Sequence, residues 1–318
     1  MSTETGIVRA QPSVRLRKSA KGLVDLPAVG DWAVMSFSDD MAVAQVEAVL
    51  DRTSAVKRGD PGNASGAQVL AANVDVVFVV HPISAEPNVR RIERELSLAW
   101  ESGAVPVVIL TKVDMSEDPD AACAAVKAVA PGVDVRMTNA LLGDGVEELR
   151  EYIRDYRTAV LLGPSGAGKS TLVNALVGYE SQATQEVRLA DGKGRHTTVA
   201  RELILVPDGG IVIDTPGLRA LGLTGSEEGI SAAFPEIEQL ASMCRFQDCA
   251  HEKEPGCAVQ AAVESGQLSV DRLASYQKLL RAAQVAEART DPHLGKEEKH
   301  RAKVLAKLIK NAKRHAGD

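Results

Sequence analysis

Thr158-Ala-Val-Leu-Leu-Gly-Pro-Ser-Gly-Ala-Gly-Lys-Ser-Thr-Leu-Val-Asn-Ala-Leu176 restricts the fold more than any other stretch of the chain. A short apolar run ends at Gly163, the pattern G-x-x-x-x-G-K-[ST] fills residues 163–170, and helical periodicity follows without a break. Strand, glycine-rich loop and helix in that order make a phosphate cradle. Glycines let the backbone wrap an anion and turn its N–H groups inward. The helix adds the positive end of its dipole. The cradle is expected from Gly163, Pro164, Ser165, Gly166, Ala167, Gly168, Lys169, Ser170 and Thr171. Lys169 would reach the β- and γ-phosphates of a nucleotide, and the Ser170 hydroxyl would ligate Mg2+.

The pattern on either side extends this into a multidomain α/β protein. Buried strands are expected at 74–80, 105–110 and 133–137, and helices at 88–103, 121–129 and 146–156. In the first helix Ile92, Leu96, Ala99 and Trp100 fall on one face. Two further strands are expected at 202–206 and 211–213. Alternation of this kind gives a parallel sheet covered on both faces. Residues 1–70 instead read as short strands between polar turns, at 33–37 and 41–50, which suggests a small OB-type β-barrel with a nucleic-acid face. Residues 55–70, rich in Gly and small polar residues, read as a linker. Beyond about residue 223 only helices are expected, at 225–243, 268–290 and 296–315. The division is therefore 1–70, 71–222 and 223–318.

Charge narrows the partners. With a net charge of −6, contact with a polyanion must come from local patches. One comprises Arg9, Arg15, Arg17, Lys18 and Lys21 against Glu4 alone. The other comprises Lys296, Lys299, Arg301, Lys303, Lys307, Lys310, Lys313 and Arg314 against Glu297 and Glu298, with Val304, Leu305, Leu308 and Ile309 as an apolar stripe. The first residues lack the apolar run of a secretory signal, and no apolar stretch approaches the ~18 residues of a membrane span. A cytoplasmic monomer with no membrane partner is the expectation.

Three short motifs suggest what the cradle holds. Asp214-Thr-Pro-Gly217 follows the strand at 211–213 and matches D-x-x-G, in which Asp holds a water of Mg2+ and the Gly N–H meets the γ-phosphate. Thr111-Lys112-Val113-Asp114 follows the strand at 105–110 and resembles the guanine-reading [NT]-K-x-D. Asp114 would accept two hydrogen bonds from guanine N1 and N2, a donor pair that adenine lacks, while the stem of Lys112 covers the ring. Asn139-Ala140 fits the second guanine contact, with the Ala140 N–H toward guanine O6. In an ordinary GTPase the cradle comes first and the guanine motifs last. Here they precede it, so the pattern is that of a circularly permuted P-loop GTPase domain. A packed core depends on which elements neighbour each other more than on where the chain is cut.

Leu218 follows Gly217, where many small GTPases carry a Gln that orients the attacking water. Leucine cannot hydrogen-bond water, so another group must. His196, in Gly194-Arg-His-Thr-Thr198, is the candidate, with Thr198 completing the Mg2+ shell. Farther on, Cys244-x4-Cys249-x-His251-x5-Cys257 supplies three thiolates and one imidazole, a set suited to one structural, tetrahedral Zn2+. Cys123 stands apart and reads as a small core residue.

The permuted order and particular words resemble one family. They are Pro27-Ala-Val-Gly-Asp-Trp32, Val46-Glu-Ala-Val-Leu-Asp-Arg-Thr-Ser54, Val69-Leu-Ala-Ala-Asn-Val-Asp-Val-Val-Phe-Val79, Gly194-Arg-His-Thr-Thr198 and the Cys/His spacing. Over roughly residues 27–290 the chain is similar to the ribosome small subunit-dependent GTPase A family (RsgA, also called YjeQ). The resemblance implies an N-terminal OB barrel, a permuted GTPase domain and a C-terminal helical zinc-binding domain. It also implies late maturation of the small ribosomal subunit with rRNA binding, and hydrolysis of GTP to GDP stimulated by that subunit. Two other readings stay open at this point. One is a P-loop kinase or ATPase acting on a small molecule, against which Asp114 argues. The other is an RNA-binding module whose nucleotide site only regulates affinity.

Overall fold

The computed structural model of the chain describes residues 1–4, 6–37, 43–58, 68–178, 202–214 and 226–290. The N-terminal strands are β1 (Ser2–Thr3), β2 (Gly6–Ile7), β3 (Ala10–Pro12), β4 (Ala33–Ser36), β5 (Ala44–Val49), β6 (Ala55–Arg58) and β7 (Gln68–Ala72), with the short helix α1 (Val14–Ser19) after β3. They form a β1–β2 pair, a three-stranded sheet in the order β3-β5-β4, and an antiparallel β6–β7 pair. Among the described residues no hydrogen-bonded ring of strands is closed. The stretch expected as a linker is ordered at both ends. Lys57 and Arg58 stand opposite Val69 and Gln68, and Val56, Val69 and Leu70 are buried. Its apolar residues at both ends are in the core, and the Gly-rich middle, 59–67, lies outside the described residues.

On β4 and β5, the Leu50 N–H donates to the Trp32 carbonyl and Val34 stands opposite Ala48. Trp32, Val34 and Leu50 therefore share one face of that sheet. Trp32 is 71% exposed on it.

The central sheet is built from β8 (Val76–Pro82), β9 (Val105–Thr111), β10 (Asp134–Thr138), β11 (Thr158–Leu162), β12 (Glu202–Leu205) and β13 (Ile211–Asp214). Between its strands lie α2 (Val89–Glu101), α3 (Pro119–Val129), α4 (Val146–Arg150) and α5 (Lys169–Val177). Strand order is β10-β9-β8-β11-β13-β12, all parallel except β12, which runs antiparallel to β13. Val77, Phe78, Val79 and Val80 are completely buried, as strands covered on both faces must be. Helix starts follow their caps. Asn88 Oδ1 accepts the Arg91 N–H, and Asp118 accepts the Ala121 N–H with Pro119 in the first turn. The helix expected at 146–156 is shorter. It passes into a 3-10 turn at Glu151–Ile153, and Asp155 and Tyr156 then take left-handed φ of 57° and 62° as the chain turns into β11.

The C-terminal part is helical: α6 (Glu227–Ala233), α7 (Pro235–Ala241), α8 (Ala258–Glu264) and α9 (Val270–Thr290). The single helix expected at 225–243 is two. Pro235 lacks an N–H and forces Phe234 out of helical geometry, to φ −128° and ψ 52°. Helix α8 was not anticipated. The basic helix expected at 296–315 lies outside the described residues.

Two apolar clusters sandwich the sheet. One holds Phe78, Val80, Ile109, Leu149, Leu172 and Leu176 under α4 and α5. The other runs from Leu70 and Val77 through Ile92 and Leu96 of α2 to Phe234 and Tyr276, so the C-terminal helices share a core with the sheet. Their approach is close: a β-carbon on Gly229 of α6 would lie 2.3 Å from the Ser97 carbonyl of α2.

Candidate functional site

Ligands of open α/β sheets bind beyond the carboxyl ends of the strands. β11 ends there at Leu162, and the chain turns through residues 163–168 into α5. The turn needs glycine. Gly163, Gly166 and Gly168 have φ of 143°, 77° and 85°, and a β-carbon on Gly163 would meet the Val80 carbonyl at 2.1 Å. The backbone N–H groups of Ser165, Gly166, Gly168 and Ser170 donate to no described residue, which leaves a row of donors at a helix N-terminus. The Lys169 ammonium donates across the loop to the Gly163 carbonyl at 2.8 Å and the Pro164 carbonyl at 2.6 Å.

The guanine-type motifs arrive at the same edge. Thr111 is the last residue of β9 and pairs in register with Thr138, the last of β10. Lys112 takes a left-handed φ of 57°, a sharp turn that leads Asp114 into an exposed 3-10 turn at Val113–Met115. The Thr111 hydroxyl donates to the Ala167 carbonyl at 2.7 Å. It therefore ties the T-K-x-D segment to the 163–170 loop, a contact that the T-K-x-D spelling does not announce. Asn139 is buried. Its Oδ1 accepts the N–H of Leu141 at 3.2 Å, its carbonyl accepts the Gly143 N–H at 2.9 Å, and its own N–H donates to the Asp144 carbonyl at 3.1 Å. The loop is thereby braced, and the Ala140 N–H has no partner among the described residues.

Asp214 closes β13, next to β11, with Ile213 in register with Val160. The structure thus gathers residues 111–114, 139–140, 163–171 and 214 at one edge. Gly217, His196 and Thr198 lie outside the described residues.

The Cys/His residues form a second site. Cys244 Sγ and Cys257 Sγ lie 3.9 Å apart, and His251 Nδ1 is 3.7 Å from the first and 3.5 Å from the second. With Cys249, all four ligand atoms fall within 4.8 Å of one another. Arms of about 2.3 Å to sulfur and 2.0 Å to nitrogen give tetrahedral edges of roughly 3.5–3.8 Å, so the set fits one tetrahedral zinc. Burial holds the His251 imidazole below the ordinary histidine value, against the pull of Glu254 and Glu238, and so favours the neutral form a metal needs. His251 takes a left-handed φ of 58°, and its carbonyl accepts amide donors from Gln260 of α8 and Gln277 of α9.

A mainly parallel sheet whose G-x-x-x-x-G-K-[ST] loop follows the T-K-x-D motif in the chain has the order of a circularly permuted P-loop GTPase. The chain belongs to the RsgA GTPase family, whose model matches residues 49–224. It is 44% identical over 279 residues to small ribosomal subunit biogenesis GTPase RsgA 2 of Lactiplantibacillus plantarum, covering 88% of this chain and 78% of the relative. With the RsgA of Opitutus terrae it shares 44% identity over 309 residues, 94% of this chain and 84% of the relative. Among solved structures, YjeQ from Thermotoga maritima matches with a TM-score of 0.65 and 28% identity, over 88% of this chain and 91% of that one. YloQ, described as a circularly permuted GTPase, matches with a TM-score of 0.58 and 27% identity, over 89% and 88%. No described helix is long and apolar enough to cross a membrane.

Proposed function

We propose that this protein hydrolyses GTP to GDP and phosphate and acts in biogenesis of the small ribosomal subunit. The observation that carries the reading is the Thr111–Ala167 bond, which locks the guanine-type motif to the phosphate cradle. Asp114 accepts from guanine N1 and N2, the Ala140 N–H meets O6, and Lys112 covers the ring. The donors of residues 165–170 and Lys169 hold the phosphates. Ser170, Asp214 and Thr198 would hold Mg2+, which neutralises charge on the β- and γ-phosphates when bound. His196 holds the water whose oxygen bonds to the γ-phosphorus as the bond to the β–γ bridging oxygen breaks. Lys169 and the loop N–H groups stabilise the charge that develops on the β-phosphate.

The chain divides into an N-terminal OB-type barrel (1–70), the permuted GTPase (71–222) and a helical domain (223–318) whose Cys244, Cys249, His251 and Cys257 hold one zinc. It works as a cytoplasmic monomer. The exposed cations Arg9, Arg15, Arg17, Lys18 and Lys21, the Trp32 face and the basic 296–315 segment meet rRNA, with phosphates on the cations and an unstacked base on the indole.

Two measurements test this. Asp114→Asn is expected to weaken GTP binding by about a hundredfold or more and to shift preference toward XTP, because a site built to accept two hydrogen bonds from the base edge rejects a mismatched set strongly. Unchanged preference would return the site to the small-molecule kinase or ATPase reading. Purified small subunits are expected to raise GTP turnover at least about tenfold, by holding the water-positioning group against the γ-phosphate. Equal rates with and without subunits would remove the ribosomal part of the reading.

A further inference from the structure

Helix α2 carries two buried glutamates two residues apart, hence on opposite sides of the helix. Glu93 is fully buried and Glu95 is 6% exposed, and neither belongs to a nucleotide motif. Burying a carboxylate is costly unless it is paired and hydrogen-bonded, so each needs a partner.

Glu93 faces the C-terminal helices. Arg272 of α9 donates from Nη1 to Glu93 Oε1 at 2.9 Å, and the Ser275 hydroxyl donates to Oε2. The same guanidinium reaches the other helix ends. Its Nε donates to Glu236 of α7 at 2.6 Å, its Nη2 to the Ala233 carbonyl of α6 at 2.8 Å, and its Nη1 also to the Val129 carbonyl of α3 at 3.1 Å. It stacks over the Phe234 ring with its carbon 3.9 Å from the centroid. One side chain thus binds α2 to the helices that follow residue 226.

Glu95 faces the sheet. Its Oε2 is 2.6 Å from His81 Nε2, and its Oε1 accepts from Arg91 Nε at 2.8 Å. His81 stands near the end of β8, directly after the Val80 carbonyl on which Gly163 rests. The His81 carbonyl is 3.4 Å from the Thr111 hydroxyl that holds Ala167, and the Ile83 N–H donates to the Thr111 carbonyl at 2.9 Å. The end of β8 therefore supports both ends of the phosphate loop, and the His81–Glu95 pair fixes that end to α2.

We propose that α2 couples the C-terminal helices to the phosphate cradle. Glu95 and His81 are positioning residues of the cradle, and Arg272–Glu93 is the joint that transmits displacement of the C-terminal helices into α2. A buried ion pair resists sliding because separating it leaves a charge unpaired, so α2 follows the helices clamped to it. The inference rests on the GTP-binding reading of the site.

The test uses the full chain, a fluorescent GDP analogue, and GTP turnover with and without purified small subunits. His81→Ala is expected to weaken nucleotide binding about threefold or more, and His81→Gln, which returns a donor to Glu95, to restore most of it. Arg272→Met is expected to lower subunit stimulation by a similar factor while changing basal turnover less. Ser275→Ala removes a single hydroxyl and serves if Arg272→Met does not fold. The doubly changed Ser275→Ala/His81→Ala protein is expected to show less than the product of the single effects, the signature of two sites acting through one element. Variants that melt at lower temperature yet bind and respond like the parent when folded, or single effects that simply multiply, would overturn the coupling. Failure of the unaltered protein to bind the GDP analogue would instead remove the nucleotide-site reading itself.

Discussion

Lys169→Ala is expected to lower GTP turnover by about a hundredfold or more at saturating GTP, with the fold intact. The ammonium already reaches the Gly163 and Pro164 carbonyls, so it is held at the mouth of the loop where β- and γ-phosphate oxygens would lie. Methyl at this position keeps the helix start and the glycine geometry, and removes the ammonium with its stem and its two hydrogen bonds. Two hydrogen bonds from a half-buried ammonium contribute a few kcal/mol at most to folding, so thermal denaturation should shift by only a few degrees. Lys169→Arg should not rescue turnover, because a planar guanidinium is not a compact ammonium. Phosphate release by the Ala protein within a factor of a few of the parent would exclude Lys169 from the chemistry.

Removing the Cys257 thiolate is expected to have the largest effect on stability. Cys257 does two things: its sulfur is one corner of the Cys/His tetrahedron, and it caps α8 by accepting the Gln260 N–H at 3.4 Å. Serine is a good cap and a poor zinc ligand, so Cys257→Ser separates the two. The expected outcome is loss of one zinc per chain and destabilisation of the C-terminal helices by about 3 kcal/mol or more. The damage should spread to α9, because Gln277 holds the His251 carbonyl and the His251 ring lies 6.5 Å from that of Tyr276. Cys123→Ser, on α3 and outside the cluster, should keep its zinc. Metal content and a denaturation curve decide the matter: a Cys257→Ser protein that stays fully metallated would sink the assignment.

The parallel sheet, the phosphate cradle and the Cys/His set were all readable from the chain, because each rests on local spacing. Period, glycine positions and ligand intervals survive in a linear sequence. What escaped depended on contacts made at a distance. Pro235 marks a helix break, but the apolar pattern of 225–243 continues through it, so only the burial of Phe234 shows that two helices share one pocket. Residues 55–58 and 68–70 look like the ends of a linker until they pair with each other. Glu93 and Glu95 are simply two of the charges of an amphipathic helix in the sequence, since nothing nearby announces Arg272 or His81. The T-K-x-D spelling gives the Thr111 hydroxyl no partner, and its bond to Ala167 spans 56 positions of chain.

The Gly229–Ser97 contact bears on how the molecule could be taken apart. The distance between α6 and α2 is set by a missing methyl group, since a β-carbon at 229 would sit 2.3 Å from a backbone oxygen that cannot swing away. An alanine there is a one-atom wedge. It meets the Ser97 carbonyl and the Glu101 stem of α2 and lies outside both the Cys/His cluster and the 163–171 loop, so it is expected to part α6 from α2 at the seam between the C-terminal helices and the layer that covers the sheet.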